Sequence, residues 1–250
     1  MLNTENIEET ILHNIRTILL RIENACKKCN RNPNEVRLLL ATKTVTAERI
    51  KIALEAGCTL IGENKVQELR EKYEELKAFS YDHHFIGHLQ TNKIKDILKY
   101  GVSCIQSVDR LDLAQKLHQR LLSENKTMEI LIQVNTSDEE SKYGVHPDKA
   151  IELIQEVAQL ETLKICGLMT IGLFSAETEK VRRCFRILKK LQQRIESLQI
   201  PNVEMKELSM GMSSDLETAI EEGATIVRVG TAIFGQRQYP DSYYWNEKMG

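Results

Sequence analysis

Lys43 follows the apolar run Leu38–Ala41 in the stretch EVRLLLATKTVTAERI, so an amine stands where a buried strand is expected to end. Desolvation penalises an ammonium unless the group is paired, neutralised or converted. A lysine held partly out of water loses its proton more readily, and the free amine condenses with an aldehyde or ketone to an imine. A solvated loop lysine just past the strand fits the position equally well. Towards the other end, ELSMGMSSDLETAIEEGATIVRVGTAIFG collects groups suited to an anion. Ser214 and Glu217 have the spacing of a capping box, which commits Ser214 to the backbone and leaves Ser213 to bond a ligand. Gly230 and Thr231 open a short helix whose N–H groups and hydroxyl suit a phosphate. Ordinary turn and cap chemistry is the competing explanation of both clusters. Arg228 shares a face with Gly230 by strand alternation. A buried guanidinium cannot release its proton, so it needs an ion pair or a polar partner such as the ring nitrogen of a bound heterocycle.

These residues converge only if the fold brings distant segments to one place. The chain has 250 residues, 42% of them hydrophobic, which is enough for one substantial core. Apolar strand-like runs near 36–43, 59–62, 83–87, 103–107, 128–135, 163–170, 203–208 and 225–229 alternate with helical stretches near 46–56, 64–78, 91–99, 109–123, 147–158, 177–198 and 215–222. Eight strand–helix units without a linker or composition break predict a single-domain (β/α)8 TIM barrel over about 35–237. An extra N-terminal helix over about 4–30 precedes it and a short C-terminal tail follows. An open doubly wound sheet is the alternative, but no GxGxxG fingerprint follows the first strand. Alternation puts Arg37, Leu39, Ala41 and Lys43 on one face, with Arg37 at the bottom and Lys43 at the catalytic rim. Other polar groups at strand exits are Glu63, Asn64 and Gln67, then His88, Gln90 and Asn92, then Ser107, Asn135 and Thr170. Helix capping is the plain reading of Asn64, Thr91 and Asn92.

Composition excludes several classes. A net charge of −2 carries no nucleic-acid footprint. No run of apolar residues is long enough to span a membrane, and the first residues lack the pattern of a signal peptide, so a cytoplasmic protein is expected. Cys26 and Cys29 form a lone CxxC at the end of a helical pattern, without the second ligand pair of a zinc site. His83 and His84 have no acidic partner at ligand spacing, so no metal is expected. The basic stretch EKVRRCFRILKKLQQRIESL carries an ordinary core stripe in Val181, Phe185, Leu188 and Ile195.

An imine-forming lysine, a phosphate cup and a polar partner for a heteroaromatic nitrogen together describe pyridoxal 5′-phosphate. Beyond that chemistry, LLLATKT, IGENKVQE, HFIGHLQTNK, IQVNTSDEESKYG, GLMTIG, LSMGMSSDLETAIEEG and VRVGTAIFG resemble, in order, the motifs of the pyridoxal phosphate homeostasis proteins, once described as alanine-racemase-like single-domain proteins. The resemblance implies a barrel holding pyridoxal phosphate as an aldimine on Lys43. It also implies phosphate contacts from Ser213, Gly230 and Thr231, Arg228 at the pyridine nitrogen, and Asn64 lining the pocket. It implies a carrier or regulator of the cytosolic vitamin B6 pool, without clear turnover; pyridoxal phosphate-dependent apoenzymes are candidate recipients, and delivery, storage and sensing stay open.

Three alternatives stand beside that expectation. A weak amino-acid racemase needs a second base, and Tyr239, Tyr243 and Tyr244 are the nearest tyrosines to hand, although with Trp245 they are expected to pack against the barrel. A sugar-phosphate aldolase would use the same lysine and cup. A pure interaction module would need neither. With no second domain to pair through, a monomer is expected.

Overall fold

The computed structural model describes residues 4–235 apart from 138, 140 and 141. Helix α1 (Thr4–Lys28) leads into β1 (Arg37–Ala41), α2 (Ala47–Glu55), β2 (Leu60–Glu63), α3 (Val66–Leu76), β3 (Asp82–Phe85) and α4 (Ile94–Lys99). The alternation continues through β4 (Cys104–Val108), α5 (Leu111–Ser123), β5 (Met128–Gln133), α6 (Pro147–Val157), β6 (Leu163–Met169) and α7 (Thr178–Ser197). It ends with β7 (Val203–Ser209), α8 (Leu216–Glu221), β8 (Ile226–Val229) and the single turn α9 (Thr231–Phe234). The strands pair in parallel in chain order, and β8 closes on β1 with Leu38 opposite Val227 and Leu40 opposite Val229. This is the (β/α)8 barrel expected from the alternation, and closure rules out the open sheet.

Period-two patterning builds the two faces of the wall. Leu40, Ile61, Phe85, Ile105, Ile130, Leu208 and Val227 point outward into the main core shared with the helices. Leu39, Leu60 and Ile226, with Ile86, form a separate cluster inside the barrel, and Cys104, Leu131, Cys166 and Met169 form another. Gly167 is required where β6 meets β7, because a Cβ there would lie 1.9 Å from the Glu207 carbonyl oxygen. Helix α1 buries Ile11, Ile15, Ile18, Ile22 and Ala25, a stripe at three- and four-residue spacing, against α2, α8 and α9. Cys26 lies buried at the end of this helix, and the Cys29 thiol donates back to the Ala25 carbonyl. In α7 the expected stripe of Val181, Phe185, Leu188 and Ile195 is buried.

Three local expectations need correction. First, β1 ends at Ala41, and Lys43 lies in a turn closed by the Val45 N–H on the Thr42 carbonyl. Second, the capping box at Ser214 is not made: α8 starts from Asp215, and the Glu217 carboxylate is held instead by Arg21 of α1. A glutamate gripped from another helix cannot reach back to its own N-cap amide. Third, α3 and the 3-10 turn Thr91–Lys93 start from Lys65 and Gln90, so Asn64, Thr91 and Asn92 are not the N-caps. Tyr239, Tyr243, Tyr244 and Trp245 lie outside the described residues.

Candidate functional site

The carboxyl ends of β7, β8 and β1 are neighbours in the barrel, and they carry Ser213, Arg228 with Gly230 and Thr231, and Lys43. Gly230 packs so tightly on β1 that a Cβ there would lie 2.8 Å from the Ala41 carbonyl oxygen. The Arg228 N–H donates to the Gly211 carbonyl at 2.9 Å, tying the loop that carries Ser213 to β8. Gly211 adopts φ +90°, and a side chain there would strike the Ala219 methyl at 2.4 Å. The sequence-predicted residues thus gather at one rim, with Asn64 on the adjoining exit of β2.

The turn that presents Lys43 is unusual and strongly braced. Lys43 is half-buried, and Thr44 after it sits in the left-handed region at φ 65°, a conformation that costs a β-branched residue about 1–2 kcal/mol. Both carboxylate oxygens of Glu68 accept the Thr44 N–H, at 3.0 and 2.8 Å. Lys72 Nζ donates to the Thr42 carbonyl at 2.8 Å, to Glu63 Oε1 at 2.8 Å and to Glu68 Oε2 at 2.5 Å. The Thr42 hydroxyl donates to Glu63 Oε1 at 2.6 Å. Two carboxylates and one ammonium are therefore packed under the lysine's turn, and Glu63 Oε2 is buried without a hydrogen-bond partner among the described residues. Burial pushes the Glu63 carboxyl up to about 7; Lys72 opposes the rise and Glu68 adds to it. Burial also works against the Lys72 ammonium, but attraction to Glu63 and Glu68 outweighs it and holds Lys72 charged.

Arg228 heads a second buried construction. Its Nη1 donates to Ser209 Oγ at 2.8 Å and its Nη2 to the Thr170 carbonyl at 2.8 Å. Ser209 Oγ donates to Gln106 Oε1 at 2.6 Å, and Gln106 Nε2 lies 2.7 Å from His84 Nδ1. A guanidinium can only donate, so each member of the chain has one available role. Ser209 accepts from Arg228 and donates onward, Gln106 donates to Nδ1, and His84 carries its proton on Nε2. Burial drives the His84 imidazole down to about 3, with Arg37 and His83 adding to it, so His84 remains a neutral acceptor. Burial also lowers Arg228 to about 10 against the attraction of Asp215, and it stays charged at neutral pH. Among the described residues its two guanidinium hydrogen bonds go to neutral oxygens rather than to a carboxylate.

The remaining strand-exit groups divide clearly. Asn135 is spent on its own loop, donating to the Glu139 and Lys142 carbonyls and accepting from Ser137. The His88 ring stacks on Tyr143 with centroids 3.9 Å apart, and its Nδ1 lies 3.9 Å from Asp109. Among the described residues no group of His, Cys, Asp and Glu could hold a metal ion. No helix among them is long and apolar enough to cross a membrane. The Lys72 cluster and the Gln106–Ser209 chain are not apparent from motifs. One signal was present for the first: Lys72 falls between Leu69 and Leu76 on the apolar face of α3, four residues after Glu68.

A closed parallel barrel thus carries an amine, a guanidinium and an anion-suited turn on three adjacent strand ends, a donor set chemically suited to a phosphorylated carbonyl compound. The chain belongs to the alanine racemase N-terminal domain family, whose model matches residues 11–238, and within it to the pyridoxal phosphate homeostasis proteins. The pyridoxal phosphate homeostasis protein of Aquifex aeolicus is 44% identical over 89% of this chain and 96% of its own. A protein from Bifidobacterium adolescentis has a similar structure, with a TM-score of 0.88, 39% identity and coverage of 94% of this chain and 98% of that one. PipY of Synechococcus elongatus, solved with PLP bound, matches with a TM-score of 0.75 at 30% identity, over 86% of this chain and all of that chain (100%).

Proposed function

We propose that this protein binds pyridoxal 5′-phosphate as a single-domain, monomeric carrier in cytoplasmic vitamin B6 homeostasis, handing it to apoenzymes and catalysing no amino-acid turnover. The observation that carries the reading is the convergence of Lys43, Arg228, Ser213, Gly230 and Thr231 on the neighbouring exits of β1, β7 and β8. The donor set suits the group: an amine for an aldehyde, N–H and hydroxyl donors for a phosphate, and a guanidinium for a ring nitrogen. Relatives named for pyridoxal phosphate homeostasis and the PLP-bound PipY support it.

When bound, pyridoxal phosphate supplies a reactive aldehyde and a heteroaromatic ring able to delocalise negative charge. The chain's own residues set how that chemistry is used. Lys43 presents its amine from a turn fixed at Thr42 and Thr44, so its backbone has little freedom to lose on reaction. Ser213, Thr231 and the first N–H groups of α9 would hold the phosphate, and Asn64, at the exit of β2, would line the pocket on the Lys43 side. Arg228 offers only donors at the ring nitrogen, so it cannot keep a proton there as a carboxylate would, and the electron sink stays weak. A weak sink favours holding over turnover. The loaded protein should restore activity to a pyridoxal phosphate-dependent apoenzyme in a buffer containing no free cofactor. It should leave the α-hydrogen of amino acids unexchanged with deuterated solvent. Rapid α-exchange would instead favour the racemase reading.

A further inference from the structure

Helix α1 lies outside the barrel, yet two of its polar side chains reach the loops that carry the anion-suited residues. Arg21 grips Glu217 in a fork, Nε to Oε1 at 2.7 Å and Nη2 to Oε2 at 2.9 Å, and the same Nη2 donates to the Ser213 carbonyl at 3.0 Å. Two turns earlier, Asn14 Nδ2 donates to the Ile233 carbonyl of α9 at 3.0 Å. Seven residues of helix separate Asn14 from Arg21 by about 10 Å on one flank, enough to span the exits of two neighbouring strands.

We infer that α1 is the framework of the phosphate cup, with Arg21 as a positioning residue for Ser213 and Asn14 as one for the turn that begins at Gly230. The inference rests on the reading of Ser213, Gly230 and Thr231 as that cup. The Arg21–Glu217 pair is 32% and 42% exposed, and pairs as open to water as this contribute little stability. The planar fork instead gives direction, because one guanidinium fixes both the start of α8 and the carbonyl of Ser213. The peptide after Ser213 is trans, so drawing that carbonyl to α1 turns the Ser214 N–H away from α1. It also keeps a carbonyl oxygen from facing an anion. Helix α9 has four residues, too few to persist alone, and its last carbonyls need outside donors. Asn14 supplies one at Ile233, and Arg49 of α2 supplies another at Phe234.

The test compares pyridoxal phosphate with pyridoxal, which keeps the ring but lacks the phosphate and closes much of its aldehyde into an internal hemiacetal, so each ligand's affinity is compared between proteins. Both are titrated against the full-length protein and against Arg21→Met. Affinity for pyridoxal phosphate should fall about tenfold, while affinity for pyridoxal stays within about twofold. Equal loss of both ligands, or no loss of either, would overturn the inference. Should Arg21→Met fail to fold, Asn14→Ala carries the same pair of titrations with the same expectations. Wild-type protein that binds pyridoxal as tightly as its phosphate would overturn the cup reading itself, a result separable from any behaviour of the variants.

Discussion

Replacing Lys72 by methionine keeps the length of the side chain and deletes the ammonium between Glu63 and Glu68. Lys72 is 10% exposed and Glu63 1%, so the carboxylates left behind gain little from water. Removing one partner of a buried ion pair costs about 3–5 kcal/mol. The Glu63 carboxyl already stands at about 7, above its ordinary 4.5. A carboxyl raised in this way contributes stability that is complete below the unfolded value and is lost as pH rises through the folded one. The Lys72 charge restrains that rise, so its removal lifts Glu63 further and deepens the loss on the alkaline side. Destabilisation should therefore reach about 3–5 kcal/mol near pH 8.5 and shrink to about 1–2 kcal/mol near pH 5.5, where Glu63 is protonated. Urea unfolding of wild type and variant at the two pH values measures both numbers. A loss equal at both, or below about 1 kcal/mol at the higher, would refute the view that Lys72 neutralises a buried acidic pair.

Ser209→Ala strands a donor on Arg228 and the acceptor on Gln106, and should lower stability by about 1–3 kcal/mol. Adding Gln106→Leu to it should cost less than the sum of the single changes, because both act on one chain, and urea midpoints of the three variants check this. Ser213→Ala combined with Thr231→Ala should weaken retention of pyridoxal phosphate at least about tenfold in equilibrium dialysis, and unchanged retention would remove both residues from the cup.

The barrel was legible because eight apolar runs alternate with helical patterns, and that periodicity is local. Lys43, Arg228 and Gly230 were legible as strand-exit residues, because each lies in or within two residues of a strand end that barrel closure brings to one rim. What escaped was set by partners far along the chain. No glycine or asparagine marks the left-handed turn after Lys43; Thr44 is held there by Glu68. Ser214 and Glu217 have the spacing of a cap, but Arg21 claims the glutamate from α1, and no pattern local to α8 reveals that competitor. Arg228 was assigned its face correctly, while its neutral partners Ser209 and Thr170 belong to other strand exits.

The central claim is that Lys43 is the amine that captures the cofactor's aldehyde. Wild-type protein and Lys43→Ala are mixed with pyridoxal phosphate, their spectra recorded, and the samples reduced with borohydride before peptide mass analysis. A band near ~420 nm is expected in the wild type alone, lost on reduction, with pyridoxyl fixed on the peptide containing Lys43. Absence of the band in the wild type, or the same labelling of another lysine in both proteins, would contradict the claim.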